Sequence, residues 1–199
     1  LVFRNRSMFL DMQSEKAPEF KKDTVYRLKN STHIDWKRFT TLLASRIISD
    51  TIKPLTSENR RNAFIVDDSI YERKGSKKAE LLAKVYDHAS HRYTRGFRML
   101  TLGWSDGVTF LPVNSCLSSE NENSRINEGW DVDSNSNGAK ARKFATKKAT
   151  EVIPELISDA MESGIHANYV LFDSWFSSPK VIRSMKELGL DVVAMVKKS

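Results

Sequence analysis

The composition describes a globular chain and excludes several classes of protein. Of the 199 residues, 40% are hydrophobic and 29% are charged, which is the balance of a folded protein rather than of a disordered one. No apolar run approaches the roughly 20 residues that a membrane span needs. The single cysteine, Cys116, rules out an internal disulfide and fits a reducing cytosol. The length suits one substantial core and a smaller domain.

Positive charge is concentrated in the first third of the chain. Residues 1–62 carry 13 Lys and Arg against 7 Asp and Glu, whereas the formal net charge of the whole chain is +7. An excess of this kind, confined to one segment, indicates nucleic acid as a partner more than a general need for solubility.

This basic third contains two predicted helices joined by an Asn-Ser-Thr turn. The first covers residues 21–29, with Asp23 or Thr24 as its N-cap, and the second covers residues 34–49. The apolar residues that we expect to face inward from the second helix are Ile34, Phe39, Leu42, Leu43, Ile47 and Ile48. The basic residues that we expect to face outward from the pair are Lys21, Lys22, Arg27, Lys29, Lys37 and Arg38. Such a pair is typical of a helix-turn-helix DNA binder, although a solvated charged face gives the same pattern.

A polar, proline-containing stretch at residues 54–59 predicts the domain boundary. We therefore expect a helical DNA-binding domain at residues 1–57 and a second domain at residues 58–199. The second domain opens on the stretch NAFIVDDSIYER, in which four apolar residues run into Asp67 and Asp68. A short apolar run of this kind is typical of a central strand that is buried on both faces.

Adjacent carboxylates at the end of a buried strand have two interpretations. They repel each other and lose hydration unless a cation, hydrogen bonds or protonation compensate, which favours a functional site. Alternatively, one Asp starts a turn and the other is solvated. A second apolar run, YVLFDSWFSSP, also ends in a carboxylate, Asp173. If the two strands are parallel neighbours, Asp68 and Asp173 meet at their carboxyl ends, where two hard oxygen ligands suit Mg²⁺ or Mn²⁺ and phosphoryl transfer.

Between these strands, the sequence predicts a loop, a helix and a hairpin. Residues 74–78 form a basic loop near the proposed site, in which Lys77 and Lys78 could hold a phosphate backbone or simply be solvated. Residues 79–88 have a helical pattern. A hairpin signal follows, because residues 97–102 and 108–113 alternate in polarity around an Asp-Gly turn.

The remaining segments complete the predicted order of elements. Residues 114–138 are polar and predict a surface loop, and residues 139–163 predict a long helix that Pro154 kinks or divides. A strand, a helix and a last apolar strand at residues 192–196 follow. The buried stripe of the last helix is Val181, Ile182, Met185 and Leu188. An antiparallel meander extended by parallel strands predicts an α/β, ribonuclease H-like mixed sheet, preceded by a small all-helical domain.

Several stretches also resemble a known family of proteins. These are FIVDDSIYER, SKKAELLAKVYDH, GFRMLTLGWSDG, KATEVIPELI, YVLFDSWFSSP and GLDVVAMVKKS. Together they resemble the DDE-class transposases of the insertion sequence four family over most of residues 20–199. The resemblance implies a bacterial cytoplasmic protein, associated with the nucleoid when bound to DNA, and a homodimer on DNA. It also implies double-stranded DNA, as transposon ends and target, as the partner, and cut-and-paste cleavage and strand transfer with Mg²⁺ or Mn²⁺.

The resemblance assigns the catalytic roles residue by residue. The family's first acid, the Asp directly before Ser or Thr, falls on Asp68, and its second falls on Asp173; both would bind two divalent ions. Its third acid is a Glu in a Tyr-x2-Arg-x3-Glu-x6-Lys signature, which no tyrosine of this chain begins. We therefore expect a truncated transposase that lacks the third acid and its helix, is inactive alone, and exposes one face of the strand at residues 192–196.

Two side chains after Asp173 and the function of the chain each have an alternative interpretation. Trp175 and Phe176 could stack on an exposed DNA base, but we expect packing beneath the helix that follows. One alternative function is a non-catalytic, DNA-binding remnant of a transposase, which the missing third acid favours. A small-molecule phosphotransferase is the weakest alternative, because the chain has no glycine-rich phosphate loop.

Overall fold

The structure, a computed structural model, describes residues 10, 12–14, 19–57 and 59–195, in which two helices precede four consecutive strands and further helices and strands follow. The strands are β1 (Ala63–Glu72), β2 (Ala83–Asp87), β3 (Arg92–Ser105), β4 (Phe110–Ser118), β5 (Tyr169–Phe172) and β6 (Asp191–Ala194). The α-helices are α1 (Lys22–Lys29), α2 (Trp36–Ile47), α3 (Asn137–Ala145), α4 (Ala149–Glu162) and α5 (Pro179–Glu187). Short helical turns lie at Ile48–Ile52, Lys53–Leu55 and Glu122–Ser124.

The strands form one mixed sheet in the order β2-β3-β1-β5-β6, with β4 also paired to β3. β1 pairs antiparallel with β3, and β3 pairs antiparallel with both β2 and β4. β1 and β5 pair in parallel, as do β5 and β6. This confirms the predicted mixed α/β sheet, in which a parallel half extends an antiparallel half.

The core lies on one face of the central strands. Phe64 and Val66 of β1 are buried there beside Val170 and Phe172 of β5, and the buried stripe of α4 packs against them. In α5, Val181 and Met185 are fully buried, as the predicted stripe requires. Helix α5 starts at Pro179 behind the Ser178 cap, whose hydroxyl accepts the Val181 N–H.

The predicted helix at residues 79–88 is wrong. The second half of this segment is strand β2, which pairs with the N-terminal half of β3. Within β2, Ala83 and Val85 are buried while Lys84 and Tyr86 are exposed, which is the period of two of a half-buried strand. This alternation is a local signal for the strand, and Leu81, whose φ is +53°, interrupts any helix across the segment.

The hairpin around Asp106 and Gly107 is confirmed, since β3 and β4 pair across it and Gly107 has a φ of +89°. Strand β4 runs on to Ser118, so the first residues of the segment predicted as a loop belong to the sheet. Pairing of residues 115–118 with β3 makes this extension, and the side chain of Asn114 attaches the strand to a helix. Its amide donates hydrogen bonds to Thr41 Oγ1 and to the Lys37 carbonyl of α2, so β4 is held against that helix.

The long helical stretch is divided, but not at Pro154. Helix α3 ends before residues 146–148, and Pro154 lies inside α4. The Ala145 carbonyl accepts the Ser119 N–H, which ties the end of α3 to the end of β4. Helix α4 tolerates its proline because a buried stripe fixes the helix on both sides of it. The residues of this stripe are Val152, Ile153, Leu156, Ile157 and Ala160.

The inward face predicted for the second helix is mostly wrong. Ile48 is buried, but Phe39, Leu42 and Leu43 are about half exposed. Helix α2 instead turns Thr41 and Ala44 toward the sheet, because it docks through the polar contacts of Asn114. Ala44 and Ile48 belong to the same core as the sheet. The division into domains at residues 1–57 and 58–199 stays a prediction.

Candidate functional site

Asp68 and Asp173 both lie just beyond the residues through which β1 and β5 pair in parallel. The prediction that Asp68 stands at the end of its strand is wrong, because β1 continues to Glu72 through its pairing with β3. Val66 lies opposite Phe172, Asp173 directly follows Phe172, and Asp68 follows Val66 by two residues. The predicted neighbourhood of the two strands is therefore confirmed. Because the strands are parallel, both carboxylates lie toward their carboxyl ends, which is where open α/β sheets place their ligands.

Asp68 is held by an arginine that the sequence did not single out. Arg98 of β3 places Nε 2.8 Å from Asp68 Oδ2, and the two side chains are 29% and 16% exposed. The Arg98 guanidinium also lies 5.4 Å from the ring centroid of Trp175, in the loop after β5. A partly buried carboxylate beside a guanidinium is compensated for its loss of hydration, so Arg98 supplies the positive charge that Asp68 needs within β1.

The other two aspartates are exposed and make local hydrogen bonds. Asp67 Oδ1 accepts the Asp68 N–H at 2.9 Å, and Asp173 Oδ1 accepts the Trp175 N–H at 2.9 Å. The second contact is an Asx turn that begins the loop leading to α5. Among the described residues, the second carboxylate oxygen of each of these aspartates accepts no hydrogen bond.

The donor atoms of Asp68 and Asp173 are of the type that a hard divalent cation prefers. Asp68 and Asp173 offer carboxylate oxygens, the ligand type that Mg²⁺ and Mn²⁺ prefer. Among the described residues, no group of three His, Cys, Asp or Glu is placed to hold a metal. Glu72 pairs with Lys74 at 2.9 Å, and Asp191 lies opposite Tyr169 at the other end of the sheet. Neither residue therefore completes the pair.

Most of the predicted DNA-binding residues are exposed. These are Lys21, Lys22, Arg27, Lys29, Arg38, Lys77 and Lys78. Lys37 is the exception, because its Nζ lies 2.5 Å from Asp159 Oδ2 of α4 and 4.3 Å from the ring centroid of Phe144. The prediction that Lys37 faces outward is wrong. This side chain packs α2 onto the body of the protein.

The two aromatic residues after Asp173 behave differently. Phe176 is 2% exposed and belongs to the core, which confirms the packing interpretation for that residue. Trp175 is 54% exposed, so the same interpretation is wrong for it. The sequence pattern does not distinguish the two residues. In the structure, the difference comes from the Asx turn at Asp173, which directs Trp175, two positions later, away from the core.

Comparison with known protein families agrees with this arrangement. Residues 6–199 match the family model described as DDE superfamily endonuclease. The chain belongs to this family of DNA-acting, divalent-metal-dependent enzymes, and its function is therefore transposase-like or nuclease-like. No curated protein matches the chain. In the part of the chain that the structure describes, no helix has both the length and the apolar character needed to cross a bilayer.

Proposed function

We propose that this protein is a DNA transposase that carries out cut-and-paste cleavage and strand transfer, with Asp68 and Asp173 as its first two catalytic acids. The observation that carries the proposal is the parallel pairing of β1 and β5, with an Asp beyond the apolar run of each strand. Assignment to the insertion sequence four branch rests on the motifs around these two residues.

The proposed site takes Mg²⁺ or Mn²⁺ between the two carboxylates. Bound divalent ions supply an activated water and stabilise the leaving oxygen of a phosphodiester in enzymes of this kind. The role of the chain is to hold two oxygen ligands at one rigid sheet edge. Arg98 neutralises Asp68 when no metal is bound, because it supplies the positive charge that the partly buried carboxylate needs.

We also propose that duplex DNA, as transposon ends and target, binds to the exposed basic residues of α1 and α2 and of the loop after β1. This proposal keeps residues 1–57 as the DNA-binding domain and residues 58–199 as the catalytic domain. A homodimer on DNA and a bacterial, nucleoid-associated location complete the proposal, and both rest on the family resemblance.

We expect the 199-residue chain alone not to cut DNA. The physical reason is the incomplete set of acids, since the described residues bring no third His, Cys, Asp or Glu to the pair. Loss of a metal ligand at a phosphodiester-cleaving site commonly costs roughly 10- to 1,000-fold in rate. The test is a strand-nicking assay with Mn²⁺ and a candidate element end, beside a version extended with the family's Tyr-Arg-Glu-Lys helix.

The extended version should nick DNA, and Asp68→Asn or Asp173→Asn should abolish this activity. If both variants nick as well as their parent, the site assignment is wrong. Metal-dependent nicking by the 199-residue chain that disappears in Asp68→Ala would mean that another residue supplies a third carboxylate.

A non-catalytic DNA-binding role is the second candidate. The ion pair between Arg98 and Asp68 favours it, because a resident guanidinium can replace the metal permanently at a site that has lost its activity. Under this alternative, the extended version binds element ends but never cuts them, whatever the metal.

A further inference from the structure

Four aromatic side chains form a continuous row beside the candidate site. The row begins at Tyr93, passes through Tyr86 and His88, and ends at Trp175. Ring centroids are 5.1 Å apart for Tyr93 and Tyr86, 5.0 Å for Tyr86 and His88, and 6.0 Å for His88 and Trp175. These separations are those of interacting aromatic pairs. We call these four residues the aromatic row.

The aromatic row is open to solvent at both ends. Tyr93 is 69% exposed and Trp175 is 54% exposed, while Tyr86 between them is 36% exposed. Tyr86 and Tyr93 are cross-strand partners in the β2–β3 hairpin, so their contact also stabilises the hairpin. Hairpin stability does not account for Trp175, because that residue comes from the loop after β5 and extends the row across two separate parts of the chain.

The row ends next to the proposed catalytic acid. Trp175 contacts the Arg98 guanidinium at 5.4 Å, and Arg98 Nε lies 2.8 Å from Asp68 Oδ2. A ligand stacked on Trp175 therefore lies beside the part of β1 that carries Asp68. The same loop begins at Asp173, so both proposed acids flank this end of the row.

Cations accompany the other end of the row. Lys84 and Arg95 are cross-strand partners on the same hairpin, and both are exposed. With Tyr93 they line a surface groove of about 460 Å³, whose remaining residues include Asn123 and Ser124. Stacking rings beside a basic groove are the combination that binds single-stranded nucleic acid, since the rings take bases and the cations take phosphates.

We propose that the aromatic row binds unpaired nucleotides of a DNA strand end and leads that strand to Asp68. This inference rests on the proposed function, because it assumes that DNA reaches the two acids. It adds the state of the DNA: a single-stranded end, held through its bases by Tyr93 and Trp175 and through its phosphates by Lys84 and Arg95.

The test compares three labelled DNAs by fluorescence anisotropy with the 199-residue chain. They are a blunt duplex, the same duplex with a short 3′ overhang, and the overhang duplex with abasic sites in place of the overhanging bases. The overhang should tighten binding about fivefold or more, and the abasic sites should remove this gain, because they keep the phosphates and delete the rings.

Two substitutions locate the effect. Tyr93→Ala and Trp175→Ala should each lower the gain in affinity from the overhang several-fold and leave blunt-duplex binding unchanged. Tyr93→Phe and Trp175→Phe should retain the gain in affinity, because they keep an aromatic ring. Phe110→Ala is the matched control, because Phe110 is 53% exposed and pairs with Ser105 at the opposite end of β3. Thermal melting of each variant monitors the hairpin.

The outcomes separate this inference from the proposed function. Equal binding of the blunt and overhang duplexes by the parent chain, or an overhang gain that survives both alanine variants, overturns the aromatic row as a binding site and leaves the proposed function standing. If none of the three DNAs shows salt-sensitive binding, both the aromatic row as a binding site and the proposed function are overturned. If the alanine variants unfold, the phenylalanine variants and the abasic DNA decide the question.

Discussion

Arg98 and Asp68 show how a single ion pair sets the state of the candidate site. The carboxylate is partly buried within β1, and the guanidinium 2.8 Å away supplies the compensating charge. A divalent ion that binds the same carboxylate must compete with that charge. Two carboxylates, one of them already paired, should therefore bind metal weakly, with most of the coordination left to water.

This competition predicts the effect of two substitutions on metal affinity. Arg98→Leu should tighten Mn²⁺ binding by roughly three- to tenfold, because a like charge close to the ion is removed. Asp173→Asn should weaken or abolish binding, because one of the two carboxylates is lost. Isothermal titration calorimetry measures both effects, and Arg95→Leu, on the exposed face of β3, is the control. Equal Mn²⁺ binding by the parent and by Asp173→Asn would place the metal elsewhere.

At the level of single elements, Asp106 joins the segment before β1 to the β3–β4 turn. Its carboxylate accepts hydrogen bonds from the Thr56 hydroxyl, from the Val108 and Thr109 N–H groups and from Arg60. The hydrogen bond from the Thr56 hydroxyl is the main reason that the pKa of this buried carboxyl lies well below its usual range. The two backbone N–H groups and Arg60 lower the pKa further. The ionised form is therefore part of the fold.

Asp106→Asn should lower the free energy of unfolding by about 2–3 kcal/mol at neutral pH, because a buried acceptor is lost and its donors are left unpaired. A depressed pKa in the folded state stabilises the protein fully above the unfolded pKa of about 4, and this contribution is lost as the pH falls below that value. Urea unfolding as a function of pH should show the two proteins converging in acid. The exposed Asp131→Asn variant is the control and should match the parent throughout. A constant difference between Asp106→Asn and the parent down to pH 2 would mean that ionisation of Asp106 contributes nothing.

The sequence predicted elements well where local pattern and tertiary context agree. The apolar runs of β1 and β5 and the Asp106-Gly107 turn are of this kind, because a short apolar run and turn chemistry are local signals. The expected burial of β1 on both faces is wrong, since only alternate residues, Phe64 and Val66, are buried. Strand β2 was not predicted, although its residues alternate between buried and exposed, because it occupies only the second half of the segment with the helical pattern. The contact of Arg98 with Asp68 was missed because it joins two strands whose register no single segment reveals.

The inward face of α2 could not be predicted from hydrophobicity. The helix docks through the hydrogen bond between Thr41 and Asn114, so a polar contact, rather than the more apolar stripe through Phe39 and Leu43, determines which face is buried. The predicted division of the helix at Pro154 is wrong for a related reason. Burial of the apolar stripe of α4 outweighs the loss of one backbone hydrogen bond at the proline. In both cases tertiary packing outweighs the local pattern.

For the molecule as a whole, charge predicts how it binds duplex DNA. Exposed cations of α1 and α2 should contact phosphates, so the logarithm of affinity should fall with the logarithm of salt concentration by about 0.9 per phosphate contacted. Replacing Lys21 and Lys22 by Ala should reduce this slope by up to roughly 2. Replacing Arg183 and Lys186 on α5 removes the same charge outside the basic third and should change the slope less. Salt-independent affinity, or unchanged binding after deletion of residues 1–57, would contradict the prediction.

The sheet carries an apolar row on the face opposite the core, and this row predicts how the whole molecule associates. Ile65, Leu171 and Val193 are aligned across β1, β5 and β6, and Val193 on the last strand is 53% exposed. Among the described strands, β6 also lies at the edge of the sheet, so apolar surface and backbone groups that no described strand pairs coincide there.

Val193→Lys should therefore lower self-association at high protein concentration without lowering the melting temperature, because the side chain points away from the core that Val192 and Ala194 join. Sedimentation velocity and light scattering measure the association. Val108→Lys is the matched control, since Val108 is 74% exposed in the β3–β4 turn, away from this row. Equal association of Val193→Lys and the parent would mean that another surface holds the copies together, and the half-exposed Phe39 and Leu43 of α2 would be the next positions to change.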